Sequence, residues 1–194
     1  HQAVLAACDL RDGVKDGLIE DPTRCKFDPK VLLCKNGDGP SCLTAPQVDA
    51  AKKIYAAATN PRTGQELFPS LSPGSELNWG IQAAGPDPSA NIYDHFKYVV
   101  FKNPAWDWKT FDFDKGIALQ EQPENAVMNA TDPNLKPFFS HNGKLLIYHG
   151  WADSNVAPLN TIKYFKSVED TLGGATKVSN NLRLFFEPGM GHCG

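Results

Sequence analysis

The sequence predicts an α/β chain: the end of a parallel sheet, preceded by an irregular, cysteine-rich part. Three observations carry this. A strand–helix–strand pattern fills the last quarter, four of the five cysteines fall within the first 42 residues, and turn residues crowd 1–45 and 61–90. At 194 residues and 41% hydrophobic, the chain can bury one substantial core, or a core plus an appended subdomain.

Residues 1–45 read as loop, with turns at Asp12-Gly13, Asp16-Gly17, Asp21-Pro22 and Asn36-Gly37-Asp38-Gly39. Thr44 then starts a helix, with Pro46 early and Gln47 three residues after the cap. Val48, Ala51, Ile54 and Tyr55 follow at helical spacing, and Asn60-Pro61 ends the segment. Residues 91–102 read as helix. An aromatic stretch follows with Phe101, Trp106, Trp108, Phe111 and Phe113, expected to be mainly core with some stacking surface. Residues 121–142 read as irregular.

Lys144 to Gly150 is a short apolar strand ending in a glycine turn, as buried parallel strands do. An amphipathic helix follows, with Ile162, Phe165, Val168 and Leu172 inward and Gly173-Gly174 closing it. A second strand, Leu182 to Phe186, ends at Pro188-Gly189. Strand, helix and strand in this order make a parallel α/β unit.

Charge excludes some functions. The net charge is −3 with both signs interspersed, and no basic stripe tracks a phosphate backbone, so nucleic acid is not an expected partner. The longest apolar run, Leu145 to Tyr148, is far too short to span a bilayer, so no membrane role is expected. His1 to Leu5 resembles neither an initiator nor a signal peptide, and Gly191 to Gly194 reads as mid-loop. The chain is expected to be a piece of a longer polypeptide.

Cys8, Cys25, Cys34 and Cys42 lie in a segment with little apolar periodicity, which needs covalent or metal support. Four cysteines allow three connectivities, of which Cys8–Cys25 with Cys34–Cys42 closes two short, separate loops. Zinc competes, but no Cys-x-x-Cys occurs and no His lies between these cysteines. Disulfides, together with the sequon Asn129-Ala130-Thr131, predict a secreted, extracellular or periplasmic protein. Cys193 is left over and implies a partner outside the chain.

Catalytic groups in parallel sheets gather at the C-terminal strand ends. The first strand runs into His149-Gly150-Trp151-Ala152-Asp153, the second into Pro188-Gly189-Met190-Gly191-His192. An acid after one strand and a His after the next matches the nucleophile–acid–base order of α/β-hydrolases. In such a triad His takes the proton of a Ser hydroxyl and Asp fixes its tautomer. The alternatives are a capping Asp153 and an ordinary loop His192. His149 is a rival base or a structural residue beneath the acid loop; His1, His95 and His141 have no supporting context. No serine sits in a Gly-x-Ser-x-Gly elbow: Ser72 and Ser75 lack the flanking strand and helix, which places the nucleophile before His1.

A second cluster is acidic. Asp9, Asp12 and Asp16 are spaced by three and four, with Gly13 and Gly17 behind two of them, a donor set suited to Ca²⁺. Main-chain carbonyls of Val14 and Leu18 would complete the shell. The one-three-five acid spacing and terminal Glu of an EF-hand are absent, and a solvated acidic turn is the alternative.

The run from Cys8 to Cys25 (CDLRDGVKDGLIEDPTRC), Phe27-Asp28-Pro29, Cys34, Cys42-Leu43-Thr44 and Pro73-Gly74-Ser75-Glu76 resemble the lid of tannases and feruloyl esterases. This family includes the hydrolase of mono(hydroxyethyl) terephthalate. His149 to Asp153 and Pro188 to Cys193 resemble its acid and base segments. The resemblance covers essentially the whole chain. It implies the C-terminal part of an α/β-hydrolase sheet (141–194) behind an irregular, disulfide-rich lid domain (1–140). It implies Asp153 as triad acid, His192 as general base, and structural Ca²⁺ at Asp9, Asp12, Val14, Asp16 and Leu18. It also implies disulfides Cys8–Cys25 and Cys34–Cys42, and a bond from Cys193 to a cysteine beside a nucleophilic Ser upstream.

The expected function is therefore hydrolysis of esters of phenolic or other aromatic acids, in a complete enzyme containing the missing upstream part; this chain alone is expected to be inactive. A broad carboxylesterase or amidase of the same fold is one rival. A calcium-stabilised, non-catalytic binding fragment is the other.

Overall fold

The computed structural model describes residues 1–80 and 85–192. Its N-terminal segment is more ordered than the turn signals suggest. Helix α1 (Gln2–Cys8) buries Val4 and Cys8 one turn apart, and Ile19 and Cys25 close over them with Leu5 and Phe27 alongside. These contacts come from residues well separated in sequence, so local periodicity does not announce the helix. Cys8 is bonded to Cys25 and Cys34 to Cys42, with Cα–Cα separations of 5.4 and 5.0 Å. The two links stand in for a core this segment is too small to build.

Helix α2 (Ala45–Tyr55) starts at Thr44 with the expected capping box: Thr44 N–H donates to Gln47 Oε1 at 2.8 Å. It ends at Tyr55, before Asn60-Pro61. A short antiparallel pair follows, β1 (Ala58–Thr59) and β2 (Glu66–Phe68). Asn60 and Arg62 in its loop both bind Asp114, at 2.7 and 2.6 Å.

Residues 91–102 divide into helix α3 (Ala90–Asp94) and a π-helical turn (His95–Val100). The aromatic stretch then packs mainly on itself. Phe96, Phe101, Trp106 and Phe111 lie within 4.8–6.3 Å of one another, centroid to centroid. The cluster borders a cavity of about 170 Å³ lined by Tyr93, Trp106 and Trp108 among others. Helix α4 (Phe113–Gln120) follows, capped by Asp112. The stretch read as irregular holds two short helices, α5 (Pro123–Ala126) and α6 (Lys136–Ser140), each with Pro in its first turn, where the missing N–H costs nothing.

The C-terminal quarter is the expected unit. Strands β3 (Leu145–Gly150) and β4 (Leu182–Glu187) pair in parallel, from Leu145↔Leu182 to Gly150↔Glu187. Helices α7 (Pro158–Thr171) and α8 (Ala175–Val178) form the crossover. Val168, Val178 and Leu182 are the buried centre, with Leu145, Ile147, Phe165 and Leu172 around them; Leu135 and Phe139 pack there too.

Within these residues the helices cover one face of the strands, and Leu146, Tyr148 and Phe185 on the other are 63%, 66% and 50% exposed. The crossover helices bury alternate residues, and the pleat turns the others away.

Leu182 is almost fully enclosed at the strand–helix contact. Leu182→Ala in the intact protein is expected to cost about 2–5 kcal/mol, read as a lower urea midpoint at unchanged slope; a loss under about 1 kcal/mol would contradict this packing.

Candidate active site

Parallel pairing brings both candidate loops to one edge of the sheet. The loop after β3 carries Asp153 and the loop after β4 carries His192. Main-chain bonds stitch them together: Trp151 N–H donates to the Glu187 carbonyl at 3.0 Å and Ala152 N–H to the Met190 carbonyl at 2.9 Å. Gly150 permits this approach, since a Cβ there would stand 2.2 Å from the Met190 carbonyl oxygen. Trp151 stacks on Phe186 with centroids 4.0 Å apart, roofing the strand end.

Asp153 and His192 meet. His192 Nδ1 is 2.9 Å from Asp153 Oδ2, across 39 residues of sequence. The carboxylate is nearly enclosed at 4% side-chain exposure, while the imidazole is 48% exposed. Oδ1 of Asp153 accepts from the N–H groups of Asn155 and Val156 at 2.8 and 3.0 Å. The loop thus folds back on its own acid and fixes the carboxylate plane.

Burial pushes the Asp153 carboxyl up. Hydrogen bonds from His192, from the backbone of Val156 and Asn155, and from His149 outweigh it and hold the group below its ordinary value. A carboxylate held this way orients Nδ1–H of His192, leaving Nε2 to move a proton. Tyr148, Val156, Met190 and Gly191 line the cavity beside the pair.

His149, the rival base, lines the same cavity and is engaged at both ring nitrogens. Its Nε2 is 3.0 Å from the same Oδ2, and its Nδ1 is 2.7 Å from Thr161 Oγ1 of α7. Nothing in the sequence singles out Thr161; a polar side chain one helical turn into an amphipathic helix is the only trace it leaves. His1, His95 and His141 engage Glu76, Gln120 and the Pro137 carbonyl. Ser72 and Ser75 are buried: Ser75 Oγ–H donates to the Ser72 carbonyl and its oxygen accepts from Trp79 Nε1. Cys193 lies outside the described residues.

The acidic loop is arranged around its own backbone. Asp9 accepts from Asp16 N–H and Gly17 N–H, both at 3.2 Å. Asp12 accepts from Val14 N–H at 2.8 Å and Asp16 from Leu18 N–H at 3.1 Å. The donor types suit a hard cation. Among the described residues, however, no three His, Cys, Asp or Glu side chains converge to hold one. Leu18, next in the loop, reaches the base segment: a Cβ on Gly189 would stand 2.5 Å from Leu18 Cδ2.

The lowered pKa of Asp153 has a stability signature. Its folded value lies below its unfolded value, so the stabilisation is complete above about pH 4 and is lost as pH falls through the folded value. The advantage of the parent over Asp153→Asn in urea midpoint should therefore shrink as pH falls below about 4, where the carboxylate takes up its proton. A gap that stays the same from about pH 5 down to about pH 2 would contradict the hydrogen-bonded carboxylate.

Comparison with known proteins gives a consistent result. The family model described as tannase and feruloyl esterase matches residues 1–194. An uncharacterized esterase of Xanthomonas campestris pv. campestris is 35% identical, over 98% of this chain and 38% of its own length. A probable feruloyl esterase B-2 of Aspergillus terreus is 34% identical, over 100% of this chain and 37% of its own. The crystal structure of feruloyl esterase B from Aspergillus oryzae superposes with a TM-score of 0.89 at 32% identity, covering 100% of this chain and 39% of that one. The chain thus spans well under half the length of these relatives, and its fold is that of part of an α/β-hydrolase-type esterase. It belongs to the tannase and feruloyl esterase family.

Proposed function

We propose that this chain supplies the acid, the base and the lid of a secreted serine esterase that cleaves esters of phenolic or other aromatic acids. The observation that carries the proposal is the buried Asp153 carboxylate bonded to Nδ1 of an accessible His192, at the adjacent ends of two parallel strands. Family membership and relatives named as feruloyl esterases support the chemistry. The nucleophilic Ser is assigned to a segment outside this chain, next to a cysteine that bonds Cys193.

In the proposed reaction Nε2 of His192 removes the proton of that Ser as its oxygen attacks the ester carbonyl. The imidazolium, held by Asp153, returns the proton to the leaving alcohol. Water, deprotonated by the same His192, then releases the aromatic acid from the acyl-enzyme. Residues 1–140 act as the lid over this site, and two disulfides suit it to an oxidising compartment. No helix among the described residues is long and apolar enough to cross a membrane.

Steady-state hydrolysis of methyl ferulate and methyl gallate by the full-length enzyme is the test. His192→Ala and Asp153→Asn should each lower kcat by about 10³–10⁴-fold in folded protein. A His192→Ala variant within tenfold of the parent would remove the proposed base. Turnover of amides with neither ester cleaved would favour the amidase rival.

Calcium remains in the proposal on donor chemistry: three carboxylates and the Val14 and Leu18 carbonyls lie in one short loop. Ca²⁺ at a hundredfold excess over its Kd would stabilise the fold by about 2.7 kcal/mol. Tm should therefore rise in Ca²⁺ relative to EGTA, and Asp9→Asn should abolish the difference. An identical Tm in both would remove the ion from the account.

A further inference from the structure

One oxygen of Asp153 serves two imidazoles. His192 Nδ1 stands 2.9 Å and His149 Nε2 3.0 Å from Oδ2, while Oδ1 is taken by two backbone N–H groups. An ionised carboxylate only accepts, so His149 Nε2 carries a hydrogen and donates it. The other nitrogen, Nδ1, is 2.7 Å from the Thr161 hydroxyl.

The surroundings of His149 fit one tautomer. Its side chain is only 12% exposed, and the Phe186 ring lies nearly parallel to it, 14° apart in plane. The carboxylate on the ring is shared with a base that must itself become cationic during turnover. With Nε2–H donated to Oδ2, Nδ1 is left to accept from Thr161 Oγ1–H, the tautomer that places no second cation on Oδ2.

We propose that His149 is a positioning residue for the base: locked by Thr161 as the neutral Nε2–H tautomer, it pins Oδ2 of Asp153 and withholds part of that oxygen's charge from His192. The inference rests on the roles proposed above for Asp153 and His192. Among the described residues, the titratable side chains facing the carboxylate are His149 from β3 and His192 from the loop after β4. Helix α7 presents Thr161 and β4 the apolar Phe186 to the His149 ring.

A neutral donor on Oδ2 weakens the carboxylate's hold on the imidazolium of His192. Removing the donor should raise the pH at which His192 becomes active.

The test is the pH profile of kcat/KM for the full-length enzyme on methyl ferulate. His149→Phe keeps a flat ring against Phe186 and deletes the donor; its acid limb should move up by about half to one pH unit. His149→Gln puts an amide N–H near the position of Nε2 and should return the limb to within a few tenths of a unit of the parent. A purely structural role would lower Tm or the height of the profile without moving the limb. Long-range ¹H–¹⁵N spectra of histidine-labelled enzyme supply the second readout. His149 should show a bare Nδ1 and a protonated Nε2 throughout the interval from about pH 5 to 8. An unmoved limb in a folded His149→Phe enzyme, or a His149 that titrates or carries its hydrogen on Nδ1, would overturn the proposal. Should His149→Phe not fold, Thr161→Val carries the test: without the hydroxyl the tautomer is no longer fixed, and unchanged His149 resonances would overturn the lock. A dead His192→Ala with an unmoved His149→Phe limb defeats only this inference, whereas an active His192→Ala defeats the function itself.

Discussion

The parallel pairing of β3 with β4 is the constraint on which the site depends. Because the strands run in the same direction and stay in register to Gly150↔Glu187, the chain leaves both at the same edge. Residues 39 positions apart then begin their loops as neighbours. The loops must approach more closely than side chains usually allow, and Gly150 makes this possible by presenting no Cβ to the Met190 carbonyl. Two cross-loop N–H bonds hold the approach. The hydrogen bond between Asp153 and His192 is the last link of this sequence, set by backbone geometry before any side chain chooses a rotamer.

The N-terminal part bears on the same place. Leu18, at the end of the acidic loop, abuts Gly189, whose positive φ of 70° turns the chain toward His192. Leu18, Trp151, Ala152 and Gly189 share one cleft with His1 and Pro73. The disulfide-linked segment thereby packs directly against the loop after β4. Nearby, Glu76 accepts from Tyr55 O–H at 2.5 Å and from Gly74 N–H at 2.7 Å and pairs with His1. Burial, with the bond to Glu76 and its charge, drives the Tyr55 phenol well above its ordinary range, so it serves as a fixed donor.

What the sequence disclosed follows from the range of the forces involved. The Thr44–Gln47 cap rests on contacts within a few residues, and the crossover helix and the two strands show in their local apolar patterns, so they were legible. Asp153 and His192 were legible because strand ends and chain order constrain them. Helix α1 was not, since Val4 and Cys8 become buried only when Ile19 and Cys25 arrive. His149 could be named but not placed, because its role depends on Thr161, twelve residues on and in a different element.

The central claim is that this acid–base pair serves a serine carried elsewhere in the polypeptide. Labelling the full-length enzyme with a fluorophosphonate, followed by non-reducing digestion and peptide mass mapping, addresses it directly. The account predicts one phosphonylated Ser, outside residues 1–194, on a peptide disulfide-linked to the one containing Cys193. A label on a serine within these residues, or a labelled peptide with no link to Cys193, would contradict it.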